Sequence, residues 1–267
     1  MEMINWEEFL LPYEQAVNEI KLKLENVVSQ LRAVNKNSYI DQIYGRVKQS
    51  GSILQKANRK KISINVESLA KEMEDIAGIR IICYFVEDIE KILTLLKQRQ
   101  GFDLEILTTR DYVNNIKPSG YRSFHVIALY PMMYQGSIKH VKVEFQIRTM
   151  SMNFWATAEH SLKYKYQNNI PPKLQERLFA SAEAAANLDN EMSNIRDEIN
   201  EAERIIKMKN DAVTHIVANL MNLRLVGKLS EVDELQKEFT EIYNAEDLNR
   251  LLAFEEEVRI LTERYKH

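Results

Sequence analysis

The sequence predicts an α/β fold of the α+β type, in which a mixed β-sheet of about five strands is flanked by helices and both ends of the chain are long helices. Near the N-terminus apolar residues recur at helical spacing, whereas the stretch from about 62 to 165 holds short runs rich in β-branched and aromatic residues. Helical spacing then returns. With 267 residues and 45% hydrophobic content, the chain can bury one substantial core or two modest ones.

The N-terminal third is predicted to be helical. Residues 5 to about 33 place apolar side chains at steps of three and four, which is typical of one buried helical stripe. Ser38, followed by Asp41 three residues later, resembles a capping box, so we expect a second helix from there to about Lys61, interrupted near Gly45 or Gly51. Asn65 is a candidate cap for a third helix.

Four segments in the middle of the chain have the composition of β-strands. A helical pattern over Glu87–Gln100 separates the first two, and Gly136 marks a hairpin between the last two. The predicted strands are Ile79–Phe85, Leu104–Arg110, Phe124–Tyr130 and His140–Thr149.

From Met150 onward the sequence predicts helices, broken at Pro171-Pro172 because proline cannot occupy a helix interior. The helix after this break, over about 172–206, repeats apolar residues close to heptad spacing, which favours packing on another helix within or between chains. We expect residues 1–210 to form one domain and 211–267 a helical C-terminal extension.

Composition excludes several classes of protein. The single cysteine, Cys83, permits no intramolecular disulfide, and no apolar stretch approaches the length of a signal or membrane-spanning segment. We therefore expect a cytoplasmic protein with no membrane partner. The net charge of −3 is uneven, because the segment from Arg46 to Lys61 carries six basic residues and no acidic one. That segment should attract a polyanion.

The basic segment has a pattern suited to phosphates. Ser52, Lys56 and Arg59 are spaced to share one helical face, with Arg46 and Lys48 just before them. Ammonium and guanidinium groups together with a hydroxyl could bind a triphosphate. A basic helix face that is simply solvated remains the alternative.

Two carboxylates are candidate Mg²⁺ ligands. Glu144 lies in the alternating strand Lys142–Arg148, whose other polar positions include Gln146, and Asp75 lies before Arg80 at the entry to the first strand. Mg²⁺ prefers one or two carboxylates plus substrate oxygens. A turn aspartate and a solvent-facing strand would explain the same residues without a ligand.

The loop Lys117–His125 contains Gly120, which permits a tight turn, and Tyr121, which offers a flat face for a base. A tyrosine half-buried in the sheet is the alternative. Farther on, Trp155 is predicted to lie in the core, while Glu159 could orient Arg148, read a base edge or simply face solvent. No glycine-rich phosphate loop or Cys/His zinc pattern is present.

These motifs together resemble the RelA/SpoT-type synthetase domain, and most closely its small single-domain alarmone synthetases. The resemblance covers about residues 5–205 and rests on the following motifs: Arg46-x-Lys48-x-x-x-Ser52-Ile-x-x-Lys56, Asp75-Ile-Ala-Gly-Ile-Arg80, Gly120-Tyr121-Arg122-Ser-x-His125, Glu144-x-Gln146-Ile-Arg148-Thr149 and Trp155-x-x-x-Glu159-His160.

The resemblance implies a nucleotidyltransferase-like sheet and Mg²⁺-dependent transfer of the β,γ-pyrophosphate of ATP to the ribose 3′-hydroxyl of GDP or GTP. It also implies roles for individual residues. Asp75 and Glu144 would bind the metal, with Glu144 as the base. ATP would be bound by Arg46, Lys48, Ser52, Lys56, Arg59 and Arg80. The acceptor would be bound by Tyr121, Lys117, Arg110, His125, Gln146, Arg148, Asn153 and Glu159.

The resemblance further implies a homo-oligomer, with a tetramer expected, and an alarmone or single-stranded RNA as regulator. Larger relatives add a hydrolase domain with a His-Asp motif; none of the five histidines here is followed by aspartate, so synthesis without degradation is expected. Two other readings stay open from the residues alone: a nucleotide- or RNA-binding module without turnover, and a nucleotidyltransferase with a different acceptor.

Overall fold

The structure is a computed structural model that describes residues 4–34, 38–165 and 170–265. The described helices are α1 (Trp6–Val34), α2 (Ser50–Lys60), α3 (Val66–Glu72), α4 (Asp88–Gln98), α5 (Met150–Lys165), α6 (Pro172–Leu225), α7 (Leu229–Asn244) and α8 (Leu248–Arg264). The strands are β1 (Ile40–Val47), β2 (Ala77–Cys83), β3 (Glu105–Asp111), β4 (Phe124–Tyr134) and β5 (Ser137–Thr149).

The five strands form one mixed sheet in the order β1-β2-β5-β4-β3. Only β2 and β5 run parallel, and the chain between them includes α4, as a parallel connection requires. Strands β4 and β5 form a hairpin in which Gln135 and Gly136 both have positive φ, the geometry of a tight two-residue turn. The predicted α+β class and mixed sheet are confirmed.

The segment from residue 40 to 47 is a strand, so the prediction that the second helix begins at Ser38 was wrong. Ser38 Oγ accepts a hydrogen bond from the backbone N–H of Ile40, two residues on, and thus forms a turn instead of a helix cap. β1 then pairs antiparallel with β2 along its whole length. Helix α2 begins only at Ser50. In α3 the predicted cap is confirmed, because the Asn65 side chain accepts from the N–H of Ser68 at 2.7 Å.

One face of the sheet is apolar and is covered by helices. Alternate residues of the central strands, among them Ile79, Ile81, Phe145 and Ile147, are at most 1% exposed. They belong to a core that includes one stripe of α1 and the inner side of α4. The opposite face of the same strands is polar. Alternation along each strand therefore separates the core from the candidate site.

The described chain divides into two compact units, residues 1–193 and 194–267. The second unit comprises the end of α6 with α7 and α8, and it has its own buried apolar cluster, which includes Ile216, Leu223, Phe254 and Val258. Helix α6 runs unbroken to Leu225, past the predicted helix end near 206. The functional division at residue 210 stays a prediction.

The heptad-like apolar residues of α6 are largely exposed. Leu188, Met192 and Ile199 expose 55%, 44% and 53% of their surface. The prediction that this spacing packs on another helix is therefore not met within the chain over these residues. No helix in the described ranges has both the length and the apolar character needed to cross a membrane.

Candidate active site

A row of polar residues crosses all five strands at the same height. Arg80 pairs with Tyr44 on one side and with Gln146 on the other, and Gln146 pairs with His125, which in turn pairs with Arg110. Because paired residues project from the same face of a sheet, these side chains share one surface. The sheet thus brings together residues that lie up to 102 positions apart in the sequence, from Tyr44 to Gln146.

The neighbouring row, two residues along each strand, contains Arg46, Gly78 and Glu144. It lies on the same face as the first row because side chains alternate with a period of two. Gly78 has no side chain, and a Cβ placed there would lie 3.7 Å from Cγ of Arg46, so the Arg46 side chain lies against this glycine. This is the point at which Asp75, three residues before Gly78, approaches the sheet.

Glu144 is held in a closed ring of hydrogen bonds. Its Oε1 lies 3.0 Å from Nδ1 of His125, and its Oε2 accepts from Gln146 at 2.7 Å. The ring continues from His125 Nε2 to the Tyr121 hydroxyl at 2.8 Å, and Arg148 donates to both Tyr121 and Gln146 at 2.8 Å. All of these bonds are satisfied when the imidazole carries its proton on Nδ1.

Burial would raise the pKa of Glu144, but the hydrogen bonds from His125 and Gln146 outweigh burial. The pKa therefore lies below the ordinary glutamate value. Glu144 is 9% exposed and ionised at neutral pH. A buried carboxylate of this kind is a candidate proton acceptor.

Asp75 is paired with two lysines. Nζ of Lys48 and Nζ of Lys56 both lie 2.6 Å from its Oδ2. Burial would raise the pKa of Asp75, but the hydrogen bonds from these lysines hold it below its ordinary value. The other oxygen, Oδ1, is buried and has no hydrogen-bond partner among the described residues. A buried carboxylate oxygen without a donor suits a cation.

A cavity of about 350 Å³ opens beside this pair of rows. Arg46 and Arg80 line it with Tyr44, Gln146 and Asn153. Burial and the positive charges of Arg148 and Arg46 lower the pKa of Arg80 to about 10, and its Nε is buried with no hydrogen-bond partner among the described residues. The site therefore holds several positive charges close together, and a bound polyanion would reduce the repulsion between them.

Two predicted phosphate contacts lie on α2 and are open to solvent. Ser52 and Arg59 flank Lys56 by four and three residues, and both are exposed. The predicted common helical face of these three residues is confirmed, although only Lys56 pairs with Asp75. Arg46 and Lys48 instead lie at and just beyond the end of β1.

The Tyr121 side of the site contains further cations. Lys117 Nζ lies 4.6 Å from the centroid of the Tyr121 ring and 3.9 Å from that of Tyr112. Burial lowers the pKa of Lys117, Glu144 opposes this, and the charge of Arg110 adds to the lowering. This cluster is separate from the pair of lysines at Asp75.

Two of the predicted acceptor contacts have other partners in the structure, and a third lies in the cavity of Arg46 and Arg80. Arg110 donates to both oxygens of Glu74, at 2.7 and 3.0 Å. Glu159 is buried and pairs with Lys163, so the idea that it orients Arg148 is wrong; Arg148 is held by Tyr121, Gln146 and Ser123. Asn153 lines the cavity of Arg46 and Arg80, and its Oδ1 is buried without a described partner. Their roles in acceptor binding stay predictions.

Sequence reasoning missed Tyr44, Tyr112 and Glu74. Tyr44 alternates with Arg46 on β1, a segment for which the sequence predicts a helix. Tyr112 lies edge-on to both Tyr121 and His125, and it follows Arg110 at the alternating spacing of a strand. That spacing was the available signal. Trp155, by contrast, is buried as predicted and donates to the carbonyl of Leu178.

The family model described as a region found in RelA / SpoT proteins matches residues 45–169. The chain is 47% identical over 209 residues to GTP pyrophosphokinase YjbM of Bacillus subtilis strain 168, covering 78% of this chain and 97% of that protein. The chain belongs to the RelA/SpoT family. A second GTP pyrophosphokinase of that organism, YwaC, is 36% identical over 197 residues, which is 74% of this chain and 93% of YwaC.

Solved structures from the RelA/SpoT family share the fold. Small alarmone synthetase 1 from Bacillus subtilis, bound to its product pppGpp, has a TM-score of 0.68 and 47% identity, covering 73% of this chain and 97% of that one. A GTP pyrophosphokinase family protein from Streptococcus pneumoniae has a TM-score of 0.69 and 45% identity, covering 75% and 97%. All residues predicted for the site lie inside the segment that matches the RelA/SpoT model.

Proposed function

We propose that this protein is a small alarmone synthetase, a GTP pyrophosphokinase that transfers the β,γ-pyrophosphate of ATP to the ribose 3′-hydroxyl of GDP or GTP. The observation that carries the proposal is the position of Glu144, an ionised carboxylate in a hydrogen-bonded ring between a cluster of cations around Asp75 and a second cluster around Tyr121. Both Bacillus subtilis relatives are GTP pyrophosphokinases, which agrees with the proposal.

ATP would bind on the side of Arg46 and Arg80. Their two guanidinium groups line one cavity, and planar guanidinium groups stack well on a purine. The triphosphate would then reach Lys48 and Lys56, with Ser52 and Arg59 available from the open face of α2. Binding would relieve the repulsion that lowers the pKa of Arg80.

GDP or GTP would bind on the side of Tyr121. The tyrosine ring offers a stacking surface for guanine, and Lys117, Arg148 and Arg110 supply positive charge for the phosphates. His125 and Gln146 orient Glu144 through its two oxygens. Asn153 and Glu159 complete the proposed acceptor set.

In the reaction the 3′-oxygen of the acceptor forms a bond to the β-phosphorus of ATP, and the bond between that phosphorus and the oxygen bridging to the α-phosphate breaks. AMP leaves, and Glu144 accepts the hydroxyl proton as general base. The residues otherwise neutralise charge and align the two nucleotides. When bound, Mg²⁺ would supply charge stabilisation on the transferring phosphates.

Asp75 and Glu144 would hold the metal. The free buried Oδ1 of Asp75 fits a cation, and the charge of Asp75 acts on Glu144. In the described part of the chain no group of three or more His, Cys, Asp or Glu residues forms a metal site. Substrate oxygens would complete the coordination, as Mg²⁺ prefers.

The remaining expectations follow from this function. We propose synthesis without hydrolysis, a cytoplasmic location where both nucleotides occur, and residues 1–210 as the synthetase domain with 211–267 as an extension. The exposed apolar stripe of α6 supports a homo-oligomer, with a tetramer expected; light scattering after size-exclusion chromatography would measure it. Regulation by an alarmone or single-stranded RNA stays a prediction.

The decisive experiment incubates the protein with ATP, Mg²⁺ and either GDP or GTP, and identifies the products by mass. We expect ppGpp or pppGpp together with one AMP per turnover. Release of free pyrophosphate would indicate a different acceptor, and binding without turnover would indicate a regulatory module. Either result would reject the proposal.

A further inference from the structure

The loop that carries Tyr121 packs directly on helix α6. Gly120 has φ of +85°, which favours glycine, and a Cβ placed there would lie 2.5 Å from the Cβ of Ala182 and 3.3 Å from the ring of Phe179. Ala182 is 3% exposed. The backbone just before Tyr121 therefore has no room to move towards α6.

Arg122, the residue after Tyr121, joins this loop to the helix through one guanidinium group. One terminal nitrogen donates to the Gly120 carbonyl at 3.2 Å and to the Ala182 carbonyl at 3.3 Å. The other donates to Oε1 of Glu183 at 2.6 Å. The Arg122 side chain is 10% exposed, whereas the Glu183 side chain is 46% exposed, so the guanidinium is largely buried although its carboxylate partner stays partly open to water.

The two residues on either side of Tyr121 are thus fixed from outside the site, while Tyr121 itself points into it. Its hydroxyl lies 2.8 Å from both His125 and Arg148. None of the described contacts of Arg122 reaches those residues or the lysines at Asp75. Arg122 therefore ties the backbone beside Tyr121 to α6 without contacting the cleft groups.

We propose that Arg122 is a positioning residue of the acceptor site: with Gly120 it fixes the stacking surface of Tyr121 against Ala182 and Glu183 of α6. The proposal rests on the proposed function, because it assigns Tyr121 to guanine. It predicts a loss confined to the guanine nucleotide, since ATP would bind on α2, β1 and β2. A displacement of about 1 Å in such a surface is enough to weaken binding and turnover strongly.

The test measures the KM of each nucleotide, kcat, and direct binding of GDP and of a non-hydrolysable ATP analogue to the full-length chain. For Arg122→Ala we expect the KM and Kd for GDP to rise about tenfold, with both constants for the ATP site within twofold of wild type. Arg177→Ala is the matched control, because Arg177 is an exposed arginine on α6, the helix that Arg122 contacts. This variant should leave KM and Kd unchanged for both nucleotides.

Two milder variants test the geometry. Arg122→Lys keeps the charge but loses the planar fork, so we expect a smaller rise of about threefold to fivefold for GDP. Glu183→Gln keeps an acceptor for Arg122 and removes only its charge, with an expected rise of twofold to threefold. These two variants decide the matter if Arg122→Ala lowers the melting temperature enough to limit its analysis.

The outcomes separate this proposal from the function on which it rests. If the wild type forms no pyrophosphorylated product, the proposed function fails, whereas GDP binding still compares Arg122→Ala with wild type. If the wild type is active and the Arg122 variants weaken both nucleotides equally, or neither, the positioning role is rejected. Weaker binding of GDP alone, graded from alanine to lysine, supports it.

Discussion

Nδ1 of His125 lies 3.0 Å from Oε1 of Glu144, and this contact joins two strands that are neighbours in the sheet. It turns a glutamate that is 9% exposed into a group with a fixed orientation and a pKa below its ordinary value. The remaining oxygen is fixed by Gln146. A carboxylate held in this way can accept a proton without first reorganising.

Replacing Glu144 by glutamine should abolish synthesis while both nucleotides still bind. Glutamine keeps the shape but cannot accept the 3′-hydroxyl proton, and general-base catalysis contributes roughly 100- to 10,000-fold. We expect kcat to fall at least about 100-fold, measured by steady-state kinetics. Glu105→Gln, at an exposed carboxylate of β3, is the control. A Glu144→Gln protein with wild-type kcat would remove the residue from its proposed role.

Asp75→Asn should raise the Mg²⁺ concentration needed for half-maximal activity. The substitution removes the charge of a proposed metal ligand. It also frees Lys48 and Lys56 from their shared partner. We expect that concentration to rise at least tenfold. A tenfold change corresponds to about 1.4 kcal/mol, which is the size expected for the loss of one charge contact. Chelation with EDTA should abolish the activity of the wild type, and added Mg²⁺ should restore that activity. Asp233→Asn, exposed in the second unit, should leave the metal titration unchanged.

Asp103 should make stability depend on pH in the acid range. Burial would raise the pKa of this carboxyl, but Lys23, at 2.9 Å, and Arg99 hold it below its ordinary value. A lowered pKa in the folded state means that the stabilisation is present above the ordinary carboxyl pKa and is lost as the pH falls through the folded value. Since the pair is partly exposed, the effect should be under about 1 kcal/mol.

The measurement compares urea unfolding of wild type and Asp103→Asn between pH 3 and pH 7. The wild type should be the more stable near neutrality, and the difference should shrink as the solution becomes acid. A difference that stays constant over this range would show that the ion pair contributes nothing through protonation.

Gly45→Ala should destabilise the first unit. A Cβ at Gly45 would collide with Cγ1 of Val17, a buried residue of α1 that lies against β1. Overpacking of this kind costs about 1–3 kcal/mol. Gly51→Ala is a matched control on α2, where a Cβ meets no atom within 4 Å, and it should be neutral or slightly stabilising. Equal unfolding midpoints for both variants would contradict the close packing of α1 on β1.

The strands β2 to β5 could be predicted because each combines β-branched residues with clear turns at its ends. β1 could not. It is an edge strand with few buried residues, and Ser38 with Asp41 imitates a helix start; only pairing with β2 makes the segment extended. The placement of Arg46 on a strand, and of Lys48 just after it, followed from that tertiary contact.

The sequence predicted which residues form the candidate site, from their types and their order, but not which side chains they contact. Sequence gives no direct signal that Arg110 pairs with Glu74, 36 residues earlier, or that Asp75 is held by lysines from two elements. These contacts depend on the register of the paired strands and on the position of α2, the helix that follows β1. The ring around Glu144, in contrast, is partly predicted by the sequence, because Glu144, Gln146 and Arg148 alternate along one strand and therefore share a face.

That alternation limits how the segment can change during evolution. A substitution within β5 alters one side chain, but loss or gain of a single residue just before Glu144 would rotate all three polar side chains into the core and expose Phe145 and Ile147 instead. We therefore expect natural variation here to preserve length even where identity drifts.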